Sequence, residues 1–264
     1  AEAAVVGMLG EDRFGAAGRQ IVVEEFLVGE EASFIAMVDG DHILPLPTSQ
    51  DHKARDDGDR GPNTGGMGAY SPAPVVTPAV HARILAEVIE PTVAGLRAEG
   101  IRYVGFLYAG LMIGSDGTPR VLEYNCRLGD PETQPILMRL DSDLVALCLD
   151  GTHCRLDQSE IRWTQQAALG VVLAAGGYPG SYRKGDEIHG LDQVPDGNTK
   201  VFHAGTRFDG AKTLTDGGRV LCVTALGADI AEAARSAYRA VESVHFDDMQ
   251  YRRDIGHRAL TRSS

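Results

Sequence analysis

A chain of 264 residues, 43% hydrophobic and 23% charged, is ordinary globular material, long enough for one large domain or two modest ones. Its 37 acidic residues outnumber 25 basic ones, and a net charge of -12 repels a phosphate backbone, which excludes nucleic acid as the main partner. The longest apolar run falls short of the ~18 residues that span a bilayer, and no signal peptide is visible, so no membrane role is expected and the cytoplasm is the expected location. The four cysteines, Cys126, Cys148, Cys154 and Cys222, form neither a CxxC pair nor a zinc spacing and are expected as buried free thiols.

In chain order, Ala3, Val6 and Leu9 are spaced for one helix face, and a Gly-rich loop follows. The chain opens Ala-Glu-Ala-Ala-Val-Val without a methionine, and functional-looking residues arrive in the first predicted strand, so a further segment upstream is expected. That strand covers 21–27 and is bounded by Gly29; strands at 33–38 and 42–46 follow, joined by an Asp39-Gly40 hairpin turn. Residues 48–74 show little periodicity and many glycines, the texture of a functional or disordered loop. An amphipathic helix is predicted over 78–99, with Ile84, Val88, Thr92 and Leu96 four apart and a kink or split at Pro91. Strands at 103–113 and 120–124 flank a Ser115-Asp116-Gly117 turn. Residues 130–149 read as helical, broken around 140–142, with Ser142 capping the second piece.

A polar stretch at 152–166 marks a boundary, giving domains 1–160 and 161–264. Beyond it come apolar strands at 167–175, 200–203 and 219–225. The capping-box start Asp229-Ile230-Ala231-Glu232 opens a helix through Ile230, Ala234, Ala237, Val241 and Val244. The expected class is α+β: a mostly antiparallel sheet with helices, then a small strand-rich domain.

Three segments could carry chemistry. In a strand, residues i and i+2 point the same way. Glu123 and Asn125 therefore present two hard oxygens side by side, a set suited to magnesium with waters and phosphate oxygens completing its shell. Arg127 continues that face as a cationic fork for a phosphate or carboxylate, and Asp130-Pro131 is expected at a helix start, where amides meet anions. An edge strand followed by a capped helix accounts for the same spacing. Second, Glu24, Glu25, Glu30 and Glu31 crowd one strand: the backbone of Glu25, Phe26 and Leu27 could pair with an adenine edge, and Glu31 with a ribose diol. A solvated edge strand is the alternative. Third, Asn63-Thr64-Gly65-Gly66-Met67-Gly68 offers unhindered amides for an anion, although it is neither GxGxxG nor a Walker A pattern. His52 is a candidate acid/base group or simply an exposed loop histidine, and His203 reads as structural.

Together, Glu24-Glu25-Phe26-Leu27-Val28-Gly29-Glu30-Glu31, Thr48-Ser49-Gln50-Asp51-His52-Lys53, Gly61 to Pro72 and Arg127-Leu128-Gly129-Asp130-Pro131-Glu132-Thr133-Gln134 resemble the phosphoribosylamine–glycine ligase family of the ATP-grasp superfamily. The resemblance continues through Gly176-Gly177-Tyr178-Pro179-Gly180, His203-Ala204-Gly205-Thr206, Gly217-Gly218-Arg219-Val220-Leu221 and Arg253-Asp254-Ile255-Gly256, from about residue 20 to 260. It implies that 1–160 is a partial ATP-grasp domain, mainly its second lobe, that 161–264 is the C-terminal domain, and that the N-terminal domain and most of the first lobe are absent.

The resemblance further implies ATP with Mg2+, or Mn2+ in its place, and glycine and 5-phosphoribosylamine as substrates of a monomeric full-length enzyme. Glu123 and Asn125 would hold the metal. Arg127 and Asp130 would be catalytic. Glu24, Glu25, Phe26, Leu27 and Glu31 would bind the nucleotide, and Asp51, Lys53, Asn63, Thr64, Gly65, Gly66, Met67 and Gly68 would line the substrate side. The implied chemistry is ATP-dependent amide formation through glycyl phosphate in purine synthesis, with little turnover from these residues alone. Many superfamily members carry a further metal-binding carboxylate where this chain has Gly110, which leaves three protein ligands in doubt. Two other readings remain open: another ATP-grasp ligase such as a carboxylase, whose substrate loop should lack the Asn63 to Gly68 pattern, and a nucleotide-binding fragment without catalysis.

Overall fold

The computed structural model describes residues 2–10, 15–195 and 197–262. Helix α1 (Glu2–Leu9) forms where the spacing put it and buries none of its residues. The strand expected over 21–27 does not form: residues 21–28 are irregular, and β1 (Glu30–Asp39) starts only after Gly29. A strand needs partners for its N–H and C=O groups. Residues 21–28 gain no ladder, and Val22, Val23, Phe26 and Val28 stand between 80% and 90% exposed.

β1 is apolar from Phe34 to Val38 because both its faces are covered there. It pairs with β2 (Ile43–Pro45) through the expected turn, where Gly40 takes φ +102 and the Asp39 carboxylate accepts from the amides of Asp41 and His42. The supposed loop 48–74 is built from short strands instead: β3 (Gln50–Asp51), β4 (Ala54–Asp56), β5 (Arg60–Asn63) and β6 (Gly68–Ser71). Their ladders are non-local apart from the β4–β5 hairpin, so no periodicity along the chain announces them.

Helix α2 (Pro78–Ile84) runs through one π turn into α3 (Glu90–Ala98). Pro91 has no N–H to give, and the wider turn ahead of it absorbs the missing bond. β7 (Val104–Ile113) and β8 (Pro119–Asn125) complete an antiparallel sheet of order β2-β1-β7-β8. Phe34, Ala36 and Val38 meet Ile84, Val88 and Val93 of the long helix on one face. Ile35, Met37 and Tyr108 meet Ile136 and Leu147 on the other. Those two belong to α4 (Thr133–Met138) and α5 (Leu144–Thr152), which are separated where expected. The cap of α5 is Asp143, however, whose carboxylate accepts from the amides of Val145 and Ala146 at 2.7 and 3.3 Å. Ser142 lies one residue too early and accepts from the Arg162 amide instead.

The remaining elements are β9 (Ala167–Ala174), β10 (Thr199–His203), the hairpin β11 (Thr206–Asp209) and β12 (Lys212–Thr215), β13 (Arg219–Gly227), α6 (Ile230–Val241) and α7 (His257–Arg262). The capping box of α6 forms: Asp229 accepts from the Glu232 amide at 2.8 Å, and the Glu232 carboxylate accepts from the Ala228 amide at 2.6 Å. The second sheet has the order β10-β13-β9-β6-β3, and Ala233, Ala237 and Val241 of α6 pack on it. Both halves of the chain contribute to this sheet, with Gly68 opposite Val171 and Ala69 opposite Gly170. The segment from β3 to β6 thus links the two sheets, since β3 and β6 belong to the second and Ser49 bridges to Ser33 of β1 in the first. The class is α+β, with antiparallel sheets and helices. The cysteines are free, but only Cys222 is buried; Cys126 is exposed.

A buried charge network ties this segment to the chain's end. Arg252, 1% exposed, reaches Asp59 and Asp254 at 2.8 Å, and Arg258 reaches the other oxygen of Asp59 at 2.8 Å. His52 is fully buried beside them, not exposed, and its Nε2 accepts from the Gly256 amide at 3.0 Å. Burial, and then Arg252 and Arg258, push the imidazole down to about 4 despite Asp59. Its neutral form is therefore part of the fold. Stability from this group is complete above the unfolded value of 6.5 and is lost as pH falls toward 4. The wild type is expected to lose about 2 kcal/mol more than His52→Gln between pH 8 and pH 5, read from urea midpoints. Buried Asp51 acts in the opposite direction but is common to both proteins.

Candidate functional site

The site forms where the end of β8, the β3–β6 segment and the turn before α4 converge. β8 carries a bulge, with Glu123 opposite Gly110 and Val121 opposite Leu111. A Cβ at Gly110 would stand 3.1 Å from Glu123 Cγ, so the missing side chain leaves room for Glu123 across the ladder. Glu123, Asn125 and Arg127 all line one small cavity of about 130 Å³, together with Asp51, Lys53, Thr64, Gly65, Tyr108, Asp130 and Glu132.

Charges alternate along its walls. Lys53 Nζ lies 3.2 Å from Glu31 and 3.8 Å from Glu123, and Arg127 donates to Asn125 Oδ1 at 3.3 Å. Burial works against the Lys53 charge, but Asp51, Glu31 and Glu123 outweigh it and raise its affinity for the proton. Asp51, 6% exposed, is pushed upward by burial and then by Glu132, with Lys53 pulling the other way. The hydroxyl of Tyr108 is likewise raised, by burial and then by Glu132 and Asp51.

Both predicted oxygen donors attract cations here: a lysine stands by one and an arginine donates to the other. That donor set, hard oxygens two residues apart at a cavity wall, fits a divalent ion that keeps several waters. The Gly110 position contributes no third carboxylate.

A second, more open cavity of about 500 Å³ includes Glu31, the ion-pair partner of Lys53 in the first. Its walls include Glu24, Glu25, Phe26 and Leu27, facing Met112 and Leu122. The Glu25 carboxylate is engaged by Arg120 at 2.9 Å, which tethers the irregular segment to β8 and leaves the backbone of residues 25–27 available.

Other predicted residues lie elsewhere. Met67 is 1% exposed in the core of the second sheet, its amide on His52 O and its carbonyl on Val172 N. Asn63 is exposed in the β4–β5 ladder. Gly66 and Gly68 serve close chain approach: a Cβ would fall 2.3 Å from Pro131 Cδ or 2.6 Å from Gly170 O. The expected anion seat at the Asp130-Pro131 helix start is also different, because α4 begins later and its N-cap position holds the buried carboxylate of Glu132.

Asp130 is half exposed and held by a residue that sequence reading did not single out. Arg219 donates to Asp130 Oδ2 at 2.9 Å, to Asp130 O at 2.7 Å and to Gly65 O at 2.6 Å. Tyr178 OH accepts from the Gly65 amide at 2.9 Å. The C-terminal part thus grips both the glycine loop and the turn after Arg127. In the sequence Arg219 stood only within the Gly217-Gly218-Arg219-Val220-Leu221 stretch of the resemblance, at the start of an apolar strand and without a role of its own. Ser33, which donates to Glu132 at 2.8 Å, gave the equally faint signal of one hydroxyl within an apolar strand.

Known proteins share this sequence and fold. The phosphoribosylglycinamide synthetase ATP-grasp (A) domain matches residues 1–133, and the C domain of the same synthetase matches residues 168–258. The phosphoribosylamine–glycine ligase of Allochromatium vinosum is 70% identical over 262 residues, 99% of this chain and 61% of that protein. The Escherichia coli K12 enzyme of the same name is 60% identical over 263 residues, with the same coverage. The chain therefore spans about three-fifths of the length of the curated relatives it matches. The crystal structure of the Thermotoga maritima ligase superposes with a TM-score of 0.84 at 38% identity, covering 97% of this chain and 64% of that one. Biotin carboxylase from Campylobacter jejuni, at 10% identity and a TM-score of 0.69, shares the fold. On these matched domains, the chain belongs to the phosphoribosylglycinamide synthetase family of ATP-grasp proteins.

Proposed function

We propose that this chain supplies the metal- and substrate-binding part of an enzyme that joins glycine to 5-phosphoribosylamine at the expense of ATP, a step of purine synthesis. One observation carries the reading: Glu123, Asn125 and Arg127 converge on a single small cavity with Lys53 and Asp51. Glu123 and Asn125 would hold Mg2+, or Mn2+, which supplies charge neutralisation to the β- and γ-phosphates when bound. The nucleotide would lie in the second cavity, its adenine against the backbone of residues 25–27 and its ribose toward Glu31.

In this reading the glycine carboxylate attacks the γ-phosphorus, and the bond to ADP breaks, giving glycyl phosphate. The amine of phosphoribosylamine then attacks the acyl carbon, loses a proton and expels phosphate. Such chemistry is mostly positioning and charge stabilisation. Arg127 would face the transferring phosphoryl group and the acyl phosphate. Asp130, fixed by Arg219, would set the turn that aims Arg127. The identity to curated glycine ligases and the Gly65 loop favour this reading over a carboxylase.

The test is a chimaera in which the part of the Allochromatium vinosum ligase that precedes its matched span is fused ahead of this chain. The chimaera is expected to release ADP only with both glycine and phosphoribosylamine present, while the 264-residue chain alone gives little. A folded chimaera that ignores glycine, or that accepts bicarbonate in its place, would overturn the assignment.

A further inference from the structure

Glu31 is the second residue of β1, and it faces two ways. Its carboxylate lines the larger cavity and pairs with Lys53 of the smaller one at 3.2 Å. Its peptide groups face away from β7: Ser33 exchanges both backbone bonds with Ser49 on that side, and residues two apart in a strand turn their N–H and C=O groups the same way. The Ser33–Ser49 bridge is isolated, so the ladder does not continue to Glu31. A side chain takes over instead. Gln50 Nε2 donates to Glu31 O at 2.9 Å, and Tyr70 OH donates to Gln50 Oε1 at 2.7 Å. Gln50 and Tyr70 are 1% and 0% exposed and stand opposite each other in the β3–β6 ladder. The tyrosine hydroxyl fixes the orientation of the amide. Turned over, Gln50 would set its oxygen against the Glu31 carbonyl and lose its donor.

We propose that Gln50, held by Tyr70, is a positioning residue for the nucleotide: it fixes the backbone of Glu31 so that the carboxylate meets the ribose hydroxyls. The assignment rests on the ribose placement in the ligase reading and deepens it. Residues 21–28 are irregular, so β1 has no strand or helix directly before it to hold this end in place. The segment from Gln50 to Lys53 holds Glu31 twice, Gln50 at its carbonyl and Lys53 at its carboxylate. Without the amide, a partly buried carbonyl lacks its donor, and the chain shifts to find another. A hydrogen bond from a ribose hydroxyl to a carboxylate is short and directional, so a small shift of Glu31 loses it. The adenine contacts proposed at residues 25–27 lie outside this chain of bonds. Gln50 therefore governs recognition of the diol and not of the base.

NMR titration of the chain as it stands tests this with two probes, MgADP and the magnesium complex of 2′,3′-dideoxyADP, which lacks both ribose hydroxyls. The wild type is expected to bind MgADP about tenfold more tightly than the dideoxy nucleotide. Gln50→Met keeps the volume and removes both hydrogen bonds. It should weaken MgADP about fivefold and leave the dideoxy nucleotide unchanged, so that the preference shrinks to about twofold. Tyr70→Phe leaves Gln50 in place but unlocked and should cut the preference about threefold in the same manner. A merely structural role would weaken both nucleotides equally, and that result overturns the proposal. A full preference kept by either variant in a folded state overturns it as well, and Tyr70→Phe, which removes a single hydroxyl, decides where Gln50→Met does not fold. In these cases the wild-type preference shows that the ribose reading stands while the role of Gln50 falls. A wild type that binds neither nucleotide, or both equally, overturns both.

Discussion

Glu123→Ala, made in the chimaera, is expected to lower kcat/KM on the order of 10³-fold, about 4 kcal/mol of lost transition-state stabilisation. Glu123 projects from β8 into the cavity with half its side chain exposed, so truncation removes little packing. The thermal midpoint should stay within a degree or two of the parent, on the scale of surface substitutions. The loss should fall on kcat and on the Mg2+ concentration needed for half-maximal rate, more than on KM for glycine, because Lys53 remains paired with Glu31 at 3.2 Å. Glu123→Gln keeps the shape and one neutral oxygen and should recover part of the metal response. Full turnover by Glu123→Ala, with an unchanged Mg2+ requirement, would refute the metal assignment.

Arg252→Met is expected to be the most damaging single change for stability, about 3 kcal/mol at neutral pH. The guanidinium is buried and binds Asp59, Asp254 and the carbonyl of Ala54, joining the chain's last segment to the β4–β5 hairpin. Removing it takes from Asp254 its arginine and leaves Asp59 with Arg258 as its remaining one. Asp59 is held well below the usual carboxylate range by His52 first, then by Arg258 and Arg252. His52 is neutral and its Nδ1 stands 3.6 Å away, so its pull is that of an N–H dipole and not of a charge. Burial pushes Asp254 up, but bonds from Arg252 and the Gly58 amide bring it down to about 2. Both groups stabilise the fold above the unfolded value of 3.8, and that stability drains away as pH falls through the folded values. In Arg252→Met the acid-unfolding midpoint should move upward, measured by circular dichroism. An unchanged midpoint and unchanged urea stability would show that Asp59 and Asp254 need no buried partner.

Much of the scaffold was legible because its signals are local. Four-residue spacing marked the 78–99 helix, and Pro91 marked its irregularity. Alternation and turn residues marked β1, β2, β7, β8, β9, β10 and β13, and Asp229 with Glu232 marked the start of α6. Glu123 and Asn125 share a face through the two-residue period of a strand, whereas Arg127, expected to continue that face, lies beyond the end of β8 and reaches Asn125 with its side chain across a bend. By contrast, β3 and β6 are ordered by partners about 100 residues away in β9 or on the facing strand β1, and nothing in their own sequence says so. Segment 21–28 failed the other way: its composition suited a strand, but no ladder partner met it.

By itself, then, the sequence determined the class of fold, the family and the strand that carries Glu123 and Asn125, because periodicity, capping and contiguous motifs are properties of neighbours along the chain. Tertiary structure alone decided that Gly66 and Gly68 admit another stretch of chain at close range, that Met67 is core, that Arg219 fixes Asp130, and that Asp51 and Glu132 share a cavity. Those outcomes depend on burial and on contacts between distant residues. A carboxylate's charge, exposure and partner are set by what packs around it, and no spacing within one segment records that.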